Sequence, residues 1–156
     1  MDDKSNDIRV LYLDDEPNNL TAFKASFRRD FQVMTTESVS EAREILAKQE
    51  IHIIISDQRM PEMTGIEFFE SILNEFPGPI RMLLTGYADI NAVIDAINKG
   101  QVFKYFSKPW DDNDLRENIT KAYEIYRLRK DNRMLTDKLV DVNHKLEFLL
   151  RQKLLS

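Results

Sequence analysis

The 156-residue sequence contains no cysteine, only two histidines, four glycines and one tryptophan, and no apolar run of membrane-spanning length. Without cysteine there are no disulfides, no thiolate zinc sites and no cysteine nucleophile. His52 and His144 are too few and too far apart for a histidine-based metal site. No stretch approaches the roughly 20 apolar residues that a span needs. The polar, acidic start MDDKSND is unlike a signal peptide, so a soluble, cytoplasmic protein is expected. What is present is a 42% hydrophobic chain, enough for one domain with a sizeable core and an appendage.

The net charge of -5 is unevenly spread. Residues 1 to 122 carry 14 Lys and Arg against 22 Asp and Glu, whereas residues 123 to 156 carry 8 against 5. An acidic globular part with a tail of mixed sign argues against a nucleic-acid groove.

From Ile8 onward, short apolar runs alternate with amphipathic stretches, the pattern of a βα repeat. Strands are expected at 8–13, 31–36, 51–57, 80–85 and 101–107. The intervening helices begin near Pro17, at Ser38 or Ser40, near Ile66 and near residue 88, and another begins at Asp111 or Asp112. Ile51, Ile53, Ile54 and Ile55 make a run too short for a helix and suited to a strand buried on both faces. Five such strands predict a doubly wound, five-stranded parallel sheet in an α/β fold.

Parallel strands bring their carboxyl ends to one rim, where ligands of open α/β sheets bind. At those ends stand Asp14 and Asp15, Asp57, Thr85 and Lys108. An aspartate before a proline-containing loop also serves as a simple turn residue, but convergence with the other strand ends favours chemistry for Asp57. Carboxylates about 4 Å apart at an effective dielectric near 20 repel by roughly 4 kcal/mol per pair. An all-oxygen cluster therefore calls for a hard divalent cation, Mg²⁺ above all. A cation, the Lys108 ammonium and the Thr85 hydroxyl around one carboxylate are the parts needed to accept a phosphoryl group.

The motifs LDDE (13–16), SDQRMPEMTG (56–65), LLTGYAD (83–89) and KYFSKPW (104–110) resemble the receiver domain of two-component response regulators over residues 8–122. The resemblance implies a flavodoxin-like sheet of order 2-1-3-4-5. It implies that Asp57 accepts phosphate from a histidine kinase or phosphotransfer protein. Asp15 and Asp57 would ligate Mg²⁺ directly, Asp14 largely through water, and the backbone carbonyl of Arg59 would complete the protein ligands. Lys108 would contact the phosphoryl group, while Thr85 and Tyr105 match a switch pair acting on the face made by helix four, strand five and helix five. The alternative for Tyr105 is an ordinary core aromatic. Arg59 and Tyr87 occupy positions that border the phosphoryl site in such domains.

Residues 1–7 are expected to be disordered, and 123–156 to form a helical extension continuous with the last receiver helix. Asp111 to Ser156 contains neither Gly nor Pro. Ile125, Asn132, Leu139 and Leu146 alternate with Leu128, Leu135, Val142 and Leu149 at heptad spacing, an a/d seam that predicts a parallel coiled-coil homodimer through residues 125–153. Asn132 at an a position favours a two-stranded register, and Glu124 and Arg129 at g and e are placed to pair between chains. The heptads run to the last residues, so a continuation to an effector such as a cyclic-dinucleotide enzyme, phosphatase or kinase is expected. Two other readings are an unphosphorylated coiled-coil adaptor and a phospho-aspartyl phosphatase. The second needs an acid two residues after the nucleophile, where Arg59 stands.

Overall fold

The computed structural model describes residues 7–86 and 90–155. Five strands, β1 (Arg9–Leu13), β2 (Gln32–Thr36), β3 (Ile53–Asp57), β4 (Ile80–Thr85) and β5 (Lys104–Ser107), alternate with five helices. These are α1 (Pro17–Phe27), α2 (Val39–Lys48), α3 (Gly65–Ile72), α4 (Ile90–Asn98) and α5 (Asp112–Leu155). The strands form one parallel sheet in the order β2-β1-β3-β4-β5, as the sequence predicts. β3 is central and buried at every position, which its β-branched run anticipates.

Residues of alternating parity feed two cores. On one face Val10, Tyr12, Ile53, Ile55, Met82, Leu84 and Phe106 pack beneath α1 and α5, which contribute Phe23, Phe27, Leu115 and Ile119. On the other, Leu11, Leu13, Ile54 and Leu83 meet Ala42 of α2, Phe68 and Phe69 of α3, and Val93 and Ala96 of α4. Helix starts are set by polar side chains. Ser38 accepts the Glu41 amide, and Thr64 and Glu67 form a reciprocal capping box. Asp111 accepts the Asp114 amide at 2.9 Å.

β5 is shorter than the 101–107 expected. Gly100, at φ 74°, ends α4 in a left-handed turn. The amides of Gln101 and Val102 both return to the Ala96 carbonyl, so pairing with β4 begins only where the Phe103 amide meets the Arg81 carbonyl. α1 ends at Phe27, and the Asp30 and Phe31 amides both close onto the Phe27 carbonyl.

α5 is one uninterrupted helix of 44 residues, about 66 Å at 1.5 Å per residue. Its contact with the sheet runs past residue 122. Tyr126 is buried, and Lys130 reaches Glu50 at 2.9 Å. After Tyr126, Leu128, Leu135, Leu139, Val142, Leu146 and Leu149 are all exposed.

Candidate functional site

Period-two alternation explains how the site is assembled. Tyr12, Ile55 and Phe106 face α1 and α5. Two residues further along each chain, at the carboxyl rim, come Asp14, Asp57 and Lys108. One oxygen from each of Asp14, Asp15 and Asp57 lies within 4.8 Å of the others. The Lys108 ammonium bridges the group, 2.8 Å from Asp14 Oδ2 and 3.1 Å from Asp57 Oδ1.

Asp14 is fully buried and its two oxygens are committed. Oδ2 accepts from the Tyr12 hydroxyl at 2.6 Å, the Asn19 amide at 3.1 Å and Lys108, while Oδ1 accepts the Glu16 backbone amide at 2.9 Å. Burial pushes its pKa up, but the bonds from Lys108, Tyr12 and the Glu16 amide outweigh burial and hold the carboxyl below its ordinary range. Asp57 goes the other way. Burial raises its pKa, and the charges of Asp14 and Asp15 add to burial against the opposing pull of Lys108. For Lys108, burial disfavours the charge, yet bonding to Asp14 and the fields of Asp57 and Asp14 keep the pKa raised.

Two adjacent aspartates on one rim thus have opposite leanings. Asp14 is a fixed anion held by donors, whereas Asp57 is an under-compensated one with 8% of its surface exposed. The all-oxygen donor set and surplus negative charge fit Mg²⁺.

Thr85 and Tyr105 have the opposite parity. Tyr105 is the cross-strand partner of Leu83, on the α4 side of the sheet, and Thr85 follows Leu83 by two residues. The buried Thr85 hydroxyl donates to the Gly86 carbonyl at 3.1 Å, and Tyr105 is 37% exposed, so it is no core aromatic. The Arg59 side chain is exposed beyond β3. Tyr87, and with it the end of the LLTGYAD motif, lies outside the described residues, as do residues 1–6 of the N-terminal segment.

Several supporting residues escaped the sequence reading. Tyr12 was legible in principle, since it precedes Asp14 by one strand period. Asn19 sits in the first turn of α1. Gly65 is required by proximity: a Cβ there would lie 2.5 Å from the Asp57 carbonyl and 2.7 Å from Leu83 Cδ2. Gln58 supports the same loop, its carbonyl accepting the Gly65 amide and its side chain the Ile66 amide.

A second polar cluster lies at the opposite rim. Glu50 Oε1 accepts from the Tyr126 hydroxyl at 2.5 Å and Lys130 at 2.9 Å. Those bonds bring the Glu50 pKa down to about 2. His52 packs edge-on against Tyr123 and Tyr126, and its Nδ1 accepts the Arg9 amide. Burial lowers the His52 pKa despite nearby Glu50.

Comparison with known proteins agrees with this geometry. Residues 10–120 match the family model described as the response regulator receiver domain. The hydrogenase transcriptional regulatory protein HoxA of Bradyrhizobium diazoefficiens is 32% identical over 122 residues, covering 78% of this chain and 25% of its own. The transcriptional regulatory protein GlrR of Escherichia coli is 32% identical over 116 residues, covering 74% and 26%. The chain therefore spans about a quarter of the length of these curated relatives. Among solved structures, an adenylate cyclase from Rhodopirellula baltica superposes with a TM-score of 0.79 at 32% identity, over 83% of this chain and 97% of that one. The beryllofluoride-activated NtrC4 receiver domain dimer gives 0.70 at 25% identity, over 76% and 98%. With its sheet order, its rim of aspartates facing Lys108 and this match over most of its length, the chain belongs to the response regulator receiver domain family.

Proposed function

We propose that this receiver accepts a phosphoryl group on Asp57 from a histidine kinase or phosphotransfer protein and passes the change along α5 to an effector. The observation that carries this reading is the under-compensated Asp57 carboxylate, 3.1 Å from the Lys108 ammonium and beside Asp14 and Asp15. An Asp57 oxygen forms the new bond to phosphorus as the bond to the donor's imidazole nitrogen breaks, and that nitrogen keeps the electron pair. Asp15, Asp57 and the Arg59 carbonyl would hold Mg²⁺, with Asp14 acting through water. The ion when bound neutralises charge on the phosphoryl oxygens. Lys108 exchanges its contact with the Asp57 oxygen for one with the transferred group, while Tyr12 and Asn19 keep Asp14 fixed.

The relay starts from Thr85, whose hydroxyl bonds among the described residues to the neighbouring Gly86 carbonyl and is free to turn toward a new acceptor. Tyr105 then moves inward, remodelling the face of α4, β5 and α5. Relatives of this chain are named as transcriptional regulators, an adenylate cyclase and an HD domain-containing protein, and α5 here carries the signal to an effector of its own. The chain in this reading is a signalling module that assists its own phosphorylation and dephosphorylation and makes no direct contact with nucleic acid.

The exposed seam of α5 pairs two copies as a parallel coiled coil. Ile125 is half-buried against its own domain, and the exposed seam positions begin at Leu128. Among the described residues no helix is long and apolar enough to cross a membrane, and a cytoplasmic location is part of the same reading.

The test is intact mass after incubation with Mg²⁺ and acetyl phosphate, for the parent and Asp57→Asn. A gain of one phosphoryl group by the parent alone is expected. No gain in the parent, together with unchanged Trp110 emission on adding beryllofluoride, would leave a coiled-coil adaptor. Hydrolysis of a phosphomonoester such as p-nitrophenyl phosphate, lost in Asp57→Asn, would point to a phosphatase.

A further inference from the structure

At the amino-end rim of the sheet, α5 is fastened to the domain by Tyr126 and Lys130, which share Glu50. That attachment turns Arg129 toward the lower end of β4, where it lines a cavity of about 190 Å³ with Arg81, Ile97, Val102 and Phe103. Arg81 is half-buried, and its guanidinium donates to the carbonyls of Gln101, Gly100 and Pro79 at 2.7, 3.2 and 3.3 Å. It is therefore locked in place by neutral acceptors. Among the described residues no carboxylate forms an ion pair with Arg81 or Arg129. Two guanidinium groups thus meet at one cavity with no counter-charge among the described residues, an arrangement that a monomer pays for in repulsion and desolvation.

The helical wheel says from which side an anion would come. Residues 119, 122, 126 and 133 of α5 face the domain, and the a/d seam lies roughly 120° around the helix at 100° per residue. Position e, Arg129, falls between the two. In a parallel coiled coil the g side chain of one helix lies beside the e side chain of the next heptad on the other helix. The g residue preceding Arg129 is Glu124, which is exposed.

We infer that the Arg81–Arg129 pair is a docking point for a second copy of this chain, which inserts its Glu124 there, twice in a symmetric dimer. The inference rests on the coiled-coil reading above and extends it. The receiver's own sheet takes part in the interface, so register and rotation of the helices are fixed by the domain as well as by the seam. An antiparallel pair would carry Glu124 away from this point. Three of the five Arg81 N–H donors are taken by carbonyls, which leaves two for an incoming carboxylate, and the apolar walls shield the contact from solvent.

The test is sedimentation equilibrium of the full chain at low and moderate salt. Leu135→Asp serves as a seam control, and Glu124→Gln, Arg81→Met and their combination form a double-mutant cycle. The parent is expected to be a dimer and Leu135→Asp a monomer. Glu124→Gln should raise the dissociation constant about tenfold at low salt and less at higher salt, and it should have little further effect in the Arg81→Met background. If Arg81→Met does not keep the parent's circular dichroism, Arg81→Gln, which removes the cation but keeps N–H donors for the carbonyls, takes its place in the cycle. A parent that stays monomeric defeats the seam reading itself. A dimer abolished by Leu135→Asp but indifferent to Glu124→Gln, or equally weakened by it in both Arg81 backgrounds, overturns the docking point and leaves the seam standing.

Discussion

Replacing Asp57 by asparagine is expected to stabilise the fold in the absence of divalent ions, the reverse of what loss of a buried charged group usually does. The Asp57 carboxylate has an oxygen within 4.8 Å of each of two others, so at an effective dielectric of 20 it meets about 3.5 kcal/mol of repulsion from each, about 7 in total. Its attraction to Lys108 at 3.1 Å returns about 5 kcal/mol on the same scale. Burial adds to the net penalty of about 2, and a weaker neutral hydrogen bond to Lys108 offsets part of the gain, leaving about 1–2 kcal/mol in favour of Asp57→Asn. The linkage sign agrees. A carboxyl whose folded pKa is raised binds its proton more tightly in the folded state, so its charging costs stability above that pKa. The advantage of the asparagine protein should therefore vanish as the pH falls below the ordinary carboxyl value of 3.8. Urea unfolding followed by circular dichroism near neutral pH, in chelator and then in saturating Mg²⁺, reads this directly. At an ion concentration a hundredfold above its dissociation constant, the parent gains about 2.7 kcal/mol, the variant much less, and the order of stability inverts. An asparagine protein that is no more stable than the parent in chelator, or an order that Mg²⁺ does not invert, would refute the electrostatic account.

Two further outcomes follow from neighbouring contacts. Gly65→Ala should cost about 1–3 kcal/mol, because the new Cβ must displace the Asp57 carbonyl or Leu83; urea midpoints measure the loss, and acetyl phosphate labelling should slow with it. Glu50, held down to about 2 against an ordinary 4.5, supports the fold above pH 4.5 and loses that support as the pH falls toward 2. Glu50→Gln should flatten this acid limb of melting temperature against pH and speed amide exchange at residues 123–131, and an unchanged limb would show that the contact contributes nothing.

The rim was legible in the sequence because parallel topology sends every strand end the same way. Asp14, Asp57, Thr85 and Lys108 needed only the strand assignment to be brought together. What could not be read depends on register or on chain reversal. Arg81 and Arg129 meet through the packing of α5 on the sheet, with Tyr126 and Lys130 held at Glu50, 76 and 80 residues away in sequence. β5 was overextended because Gln101 and Val102 look like strand residues locally, while their amides are consumed by the turn after Gly100. Tyr105 illustrates a third limit. Its place on β5 was clear, but the side of the sheet on which it lies follows from its pairing with Leu83.

Because α5 starts beside the rim of Asp14, Asp57 and Lys108 and is gripped at Glu50 on the opposite rim, it has the mechanics of a lever with its fulcrum at Tyr126 and Lys130. From Lys130 to Leu155 the free arm is about 37 Å long. A rocking of about 5° about that fulcrum would shift Leu115, about 20 Å away, by about 2 Å, enough to repack its contacts, and would swing the far end by about 3 Å, close to the width of one side chain.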